Sequence, residues 1–418
     1  MRAWTSCWKE NEMDERLARM RELDSRYVMQ TYKRLPVAFV RGEGTMLWDS
    51  SGREYLDLLG GLGVTVLGHS HPAVTDAICS QASRLIHTTN LYYVEPQAEL
   101  AKLLVENCFA GRCFFANSGA EANEGALKLA RKYHHLKGKP RSKVVAALGS
   151  FHGRTLTTMS ATGQPEKWAP FQPVVPGFVH VPLNDIEALD SAIDSDTAAV
   201  ILEPILGEGG VYTLDAAFLK AARSACDREG AVLIADEVQS GMGRSGEFFA
   251  FESSGIKPDV VTMAKGLANG VPAAAFIAAG EFGEVLAPGD HGTTFGGGFL
   301  ACAAGVATVT TILEQGLPGN ASRIGFLLME RLKDLLNLDA VTEVRGRGLM
   351  LAIELDRPVA RDVVVSCLER GVIVNDVGPS TVRMLPPLIL NEEEALHGAS
   401  VLSDVLAGLK DQLGGDGG

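Results

Sequence analysis

The sequence predicts an α/β protein, with a large domain built on a mostly parallel central sheet and a smaller α+β domain. Three observations carry this. From about Pro72, short apolar runs alternate with helical stretches. The runs are apolar on both faces, as strands are when helices cover a sheet on both sides. After about Gly316 the regular alternation ends. The expected division is residues 1–60 contributing to the small domain, 61–315 forming the large domain, and 316–418 the C-terminal small domain.

Taken in order, Met13 to Tyr27 reads as a short charged helix with Leu17, Met20 and Tyr27 on one side. "TMLWDSSGREYLDLL" reads as a strand, a turn at Ser51-Gly52 and a second strand. The expected sheet strands are Cys113–Ala116, Lys143–Leu148, Phe178–Val181, Ala198–Pro204, Ala231–Asp236 and Ala273–Ala279. Helices are expected over Glu121–His134 and Ala216–Glu229. In the last third, "RGRGLMLAIEL", a helix from Arg361 to Arg370, and "VRMLPPLIL" form the smaller unit. The closing "LGGDGG" reads as a disordered tail.

Composition narrows the function classes. Lys and Arg number 38 against 51 Asp and Glu, a net charge of −13 with no basic block to compensate. That disfavours nucleic acid as a partner. No apolar run is long and charge-free enough to span a bilayer, so no membrane partner is expected. The start carries acidic residues and no apolar core of a secretory signal, and Met13 is an alternative initiator. Seven scattered cysteines without a CxxC fit a reduced cytoplasm and argue against a disulfide framework or structural zinc. His69 and His71 lack a carboxylate-rich neighbourhood, so no metal site is expected.

Chemistry is expected where strands end and loops begin. After "CFFA", Ser118 caps a helix and Glu121 follows three residues on, the pattern of a capping box. The same turn leaves N–H groups at Ser118, Gly119 and Ala120 suited to an anion. Asp236 and Glu237 directly follow an apolar strand, and a carboxylate there needs a cation or a donor. Phe151, His152 and Arg154 follow another strand, where an aromatic ring suits stacking. Lys265 is the one charge between Val260 and Gly280. A free lysine has a pKa near 10.4, so about four in ten thousand are neutral at pH 7. Burial lowers that value and exposes a nucleophilic amine. Each feature alone has a structural reading: a capped helix, an ion pair, a core aromatic, a snorkelling lysine. Together they are what pyridoxal 5'-phosphate requires.

With these residues in place, the chain resembles the class III aminotransferases of pyridoxal-phosphate fold type I. The resemblance runs from about Leu35 to Leu406. It rests on "GHSHP", "NSGAEANEGALKLAR", "FHGRT", "EPILGEGGV", "DEVQSGMGRSG", "MAKGLANGVP" and "HGTTFGG", in that order. It implies that Lys265 forms the Schiff base with the cofactor and moves the proton, and that Asp236 keeps the ring nitrogen protonated. It implies phosphate binding at Ser118, Gly119 and Ala120, Phe151 and Val238 on the two ring faces, and Gln239 on the ring hydroxyl. Thr294 would reach the phosphate of a neighbouring subunit, so a homodimer is expected.

For substrates, the resemblance implies Arg383 on the α-carboxylate of 2-oxoglutarate and Arg154 on its distal carboxylate. It also implies Glu203 pairing with Arg383 to mask charge, and Thr293 lining the substrate end. The amine donor it implies is N2-acetylornithine, reacting at its terminal amine. Ornithine, acetyllysine, succinylornithine and 4-aminobutyrate are the alternatives within the family, and a non-catalytic cofactor-binding regulator is the alternative outside it. Leu206, where relatives usually carry Gln, and Gly298-Phe299 in "GGGFLAC" depart from the family pattern.

Overall fold

The structure is a computed structural model and describes residues 15–409. The alternative start at Met13, Cys7 and the expected tail lie outside the described residues.

The large sheet has seven strands. They are Gly111–Ala116 (β1), Lys143–Ala147 (β2), Phe178–Val181 (β3), Thr197–Leu202 (β4), Val232–Asp236 (β5), Val260–Met263 (β6) and Ala274–Ala279 (β7). Their spatial order is β1-β7-β6-β5-β4-β2-β3. The sheet is parallel from β3 to β6, and β7 runs antiparallel to both of its neighbours. β1 therefore points the same way as β6. The fold is α/β, as the apolar runs predict.

The six expected strands are present, shifted at their ends by up to two residues. Two-residue shifts occur in β1, which starts at Gly111, and in β4, which stops at Leu202. Pro204 has no N–H for a sheet ladder, and the Glu203 carboxylate is engaged elsewhere. The strand that sequence reading missed is β6. Its four residues are fully buried and too few to show a period.

Helix Ala216–Glu229 forms over the expected span and closes on Gly230, whose φ of +69° suits a residue without Cβ. The helix expected from Glu121 starts at Gly119 and runs to Leu136. Its apolar stripe, Ala122, Ala126, Leu129 and Ala130, is buried under the sheet. Burial of such stripes, at about 25 cal/mol per Å² of apolar surface, is the main force holding helices to the sheet.

The remaining elements frame this core. Met46–Asp49 and Glu54–Asp57 pair antiparallel around Ser51-Gly52, as expected. Phe39–Glu43 adds a strand on one side, and Val372–Ile373 pairs parallel on the other. Val341–Arg347, Met350–Leu355, Thr381–Met384 and Asn375–Val377 form a four-stranded sheet. The run "VRMLPPLIL" is a strand only to Met384, because two prolines follow it closely. Helix Glu15–Tyr27 buries none of its residues within this chain, so its expected apolar side stays uncovered here. Among the described residues no single helix is long and apolar enough to cross a membrane.

Candidate active site

Five segments that sequence reading singled out separately meet at one edge. They follow the carboxyl ends of β1 (Asn117–Ala120), β2 (Phe151–Arg154), β4 (Glu203), β5 (Asp236–Gln239) and β6 (Lys265). Parallel strands deliver their ends to the same side, and this is where open α/β sheets bind ligands.

At the first end, Ser118 Oγ accepts from the Glu121 N–H at 3.3 Å. The expected capping box does not close. The Glu121 carboxylate reaches one residue further back and accepts from both Asn117 N and Asn117 Nδ2 at 2.8 Å. The first helical bond runs from Ala122 N to Ser118 O. The N–H groups of Ser118, Gly119 and Ala120 thus have no acceptor inside the helix, which is the condition for an anion site. Gly119 is required for packing. A Cβ there would lie 2.7 Å from Val238 Cγ1, so the cradle fits under Val238 only without a side chain.

Asp236 is buried at the mouth of β5. Its Oδ2 accepts from Asn123 Nδ2 and from His152 Nδ1, both at 2.7 Å. Among the described residues its Oδ1 accepts only from the Val238 N–H, at 3.1 Å. One oxygen is therefore saturated and the other keeps capacity for a ligand N–H. Asn123 and Thr262, its partner on β6, were missed by sequence reading. A buried Asn beside Ala122 on an otherwise apolar helix face was the signal available.

Phe151 is half-buried, and the exposed Arg154 places its guanidinium 5.2 Å from the ring centre. Glu203 lies behind this loop. Its carboxylate accepts from Phe151 N at 2.7 Å and from Gly207 N at 3.2 Å. Burial pushes its pKa up to about 7.

The acid on Arg383 is not Glu203. Arg383, fully buried, donates from Nη1 to Glu208 Oε1 at 2.8 Å, to Gly207 O at 2.8 Å and to Gln239 Oε1 at 3.3 Å. Its Nε donates to Asn375 Oδ1, and its Nη2 is buried without a partner. The short hairpin of Ile205–Leu206 with Tyr212–Thr213 carries Glu208 away from Glu203 and toward Arg383. Both acids sit in "EPILGEGG", and the motif alone does not say which one turns inward. Burial works against the Glu208 charge, yet Arg383 and then Lys265 hold its carboxyl below the ordinary range. Leu206, one of the departures, is buried in that hairpin and packs in the core.

Lys265 follows β6 with φ +41°, in the left-handed region that costs a lysine about 1–3 kcal/mol. Burial pushes its ammonium below the usual lysine range; Glu208 opposes this and Arg383 reinforces it. Among the described residues no hydrogen bond or ion pair holds its Nζ. Gly266 beneath it lets Val66 approach, since a Cβ would fall 2.6 Å from Val66 Cγ1. Thr293 Oγ1 accepts from Asn117 Nδ2 at 3.2 Å, beside the cradle, while Thr294 faces outward with the exposed Phe295. His69 is bonded to Asp57 at 2.7 Å.

Glu237, next to Asp236, is buried, accepts from Ser240 Oγ and Phe251 N, and has its pKa pushed by burial up to about 7. Between the ordinary 4.5 and about 7 the folded protein keeps this proton and the unfolded chain has lost it. The contribution of Glu237 to stability therefore falls as pH rises through that window. Glu237→Gln is expected to remove this share of the fall; Glu203, Glu252 and Asp259, also raised by burial, keep theirs, and His134 and His180, lowered by burial, act in the opposite direction. Urea midpoints measured at about pH 5 and about pH 7.5 test this. An equally steep fall in the variant contradicts it.

An unpaired amine, an acid with one oxygen to spare and a glycine-floored anion cradle on one sheet edge fit pyridoxal phosphate. Fold and site together define a pyridoxal-phosphate enzyme of fold type I. The chain belongs to the class-III aminotransferases: the family profile described as "Aminotransferase class-III" matches residues 27–406. It is 50% identical over 389 residues to the acetylornithine aminotransferase of Methanopyrus kandleri, covering 92% of this chain and 98% of that one. It is 46% identical over 389 residues to that of Caldanaerobacter subterraneus, covering 93% and 99%. Among solved structures, it is similar to the ornithine aminotransferase of Toxoplasma gondii, with a TM-score of 0.91, 33% identity and 95% and 96% coverage. It is also similar to the acetylornithine aminotransferase of Elizabethkingia anophelis, with a TM-score of 0.84, 31% identity and 94% and 99% coverage.

Proposed function

We propose that this enzyme transfers the terminal amino group of N2-acetylornithine to 2-oxoglutarate. The products are N-acetylglutamate semialdehyde and glutamate, a step of arginine biosynthesis in the cytoplasm. The observation that carries the reading is the Arg383–Glu208 pair, a buried guanidinium neutralised by an acid with its Nη2 still unused. Such a pair is neutral toward a donor with one carboxylate and exposes a cation to a dicarboxylate once Glu208 withdraws.

Bound pyridoxal phosphate would supply the carbonyl that captures the amine and the ring that takes up electrons. Lys265 would anchor it covalently and, once displaced, carry the proton. The N–H groups of Ser118, Gly119 and Ala120 would hold the phosphate. Phe151 and Val238 would cover the two ring faces, Gln239 would meet the ring hydroxyl, and Asp236 would hold a proton on the ring nitrogen. Arg154, exposed at the site's rim, would take the carboxylate of acetylornithine and later the distal carboxylate of 2-oxoglutarate. Glu203 would act through the Phe151 loop that it braces. Thr293 lies beside Asn117 and would line the substrate end. Thr294 would complete the site of a second copy in a homodimer, a reading supported by its exposure beside Phe295.

A donor panel with 2-oxoglutarate tests this. Acetylornithine is expected to give the highest kcat/KM, above ornithine, acetyllysine, succinylornithine and 4-aminobutyrate. Another donor at the top would replace it, and a bound cofactor whose visible absorbance no donor shifts would indicate a non-catalytic protein. In the same panel, Arg383→Ala is expected to damage the 2-oxoglutarate half-reaction most. Equal loss in both halves would argue against its role.

A further inference from the structure

We propose that Asn123 is the positioning residue that aims Asp236 at the cofactor ring and ties that carboxylate to the phosphate cradle. The inference rests on the reading of Asp236 as the partner of the ring nitrogen.

The hydrogen bonds define how the amide sits. Asn123 is buried, and its Nδ2 lies 2.8 Å from His152 O and 2.7 Å from Asp236 Oδ2. A carbonyl and a carboxylate only accept, so the NH2 group must face them. Its Oδ1 then faces Thr262 Oγ1 at 2.7 Å, and the threonine hydroxyl donates. Both N–H groups and the carbonyl of the amide are used, in one orientation. The flipped amide would set its oxygen against two other acceptors inside the core, at a cost of unpaired buried groups.

This arrangement has two consequences. Asn123 and His152 together occupy Oδ2 of Asp236, so Oδ1, with its single long bond to Val238 N, is the oxygen left for a ligand. Asn123 also lies about one helical turn beyond the cradle at Ser118–Ala120. The cradle and the carboxylate belong to segments more than a hundred residues apart, Asn123 to Asp236 spanning 113. The amide joins the two, and so sets the distance between the phosphate end and the ring-nitrogen end of one ligand. His152 O and Thr262 bring the ends of β2 and β6 into the same network.

The test is binding to apoenzyme of pyridoxal phosphate and of its 1-deaza analogue, which has carbon in place of the ring nitrogen. Wild type is expected to prefer pyridoxal phosphate. In Asn123→Ala the Kd for pyridoxal phosphate is expected to rise about ten- to a hundredfold, the range for losing a hydrogen bond to a charged group. The Kd for the deaza analogue is expected to stay within about threefold, because that ligand makes no use of Oδ1. Thr262→Val, which removes only the hydroxyl that orients the amide, is expected to lose part of the preference. Equal weakening toward both ligands would make Asn123 a packing residue and overturn the inference. If Asn123→Ala does not fold, Thr262→Val decides alone: an unchanged preference there overturns it. A wild type without any preference would instead remove the underlying assignment of Asp236.

Discussion

Lys265→Ala is expected to abolish turnover while leaving the circular dichroism spectrum unchanged. The side chain makes no hydrogen bond or ion pair among the described residues, so its loss removes no structural partner. It also relieves burial of a charge, since burial is what pushes this ammonium down. Function has the opposite dependence. Proton transfer by a placed group contributes about 10²–10⁴-fold in rate, and loss of the covalent anchor adds to that. Turnover should fall by at least about 10⁴-fold. Borohydride reduction of the wild type, followed by peptide mass analysis, should find the pyridoxyl label on Lys265 and none on the variant. Residual turnover near wild type, or a label on another side chain, would reject the assignment.

Asp236→Ala is expected to lower kcat by about 10²-fold or more and to weaken cofactor binding. Two effects add. The substitution leaves Asn123 Nδ2 and His152 Nδ1 facing a hole where Oδ2 had been. Each unpaired buried donor costs about 1–3 kcal/mol. It also removes the anion that holds a proton on the ring nitrogen, and an unprotonated ring is a poorer acceptor of electrons. Steady-state kinetics at saturating cofactor separate the effects, because added cofactor restores occupancy and not chemistry. Loss of less than about threefold under those conditions would contradict the electron-sink argument.

Much of the site was legible because its parts are local. A strand end followed by Asn117-Ser118-Gly119 is a short-range pattern, and so is an acid directly after an apolar run, as at Asp236. Lys265 stood out by its isolation among apolar residues. β6, just before it, was invisible as a strand because four buried residues carry no alternation. The capping box at Ser118 failed for a similar reason. Sequence spacing allows Glu121 to return to the helix start, and only the turn's geometry sends it to Asn117.

The linear chain alone determined the alternation of strand and helix, the chemical character of each strand end and the membership that these imply. Those features depend on neighbours within a few residues, where side-chain period and backbone geometry act. Tertiary structure alone decided that Glu208 rather than Glu203 meets Arg383, and that Asn123 and His152 hold Asp236. These contacts join segments 84 to 175 residues apart. A hydrogen bond acts over about 3 Å, and only the order of strands in the sheet brings such distant groups that close.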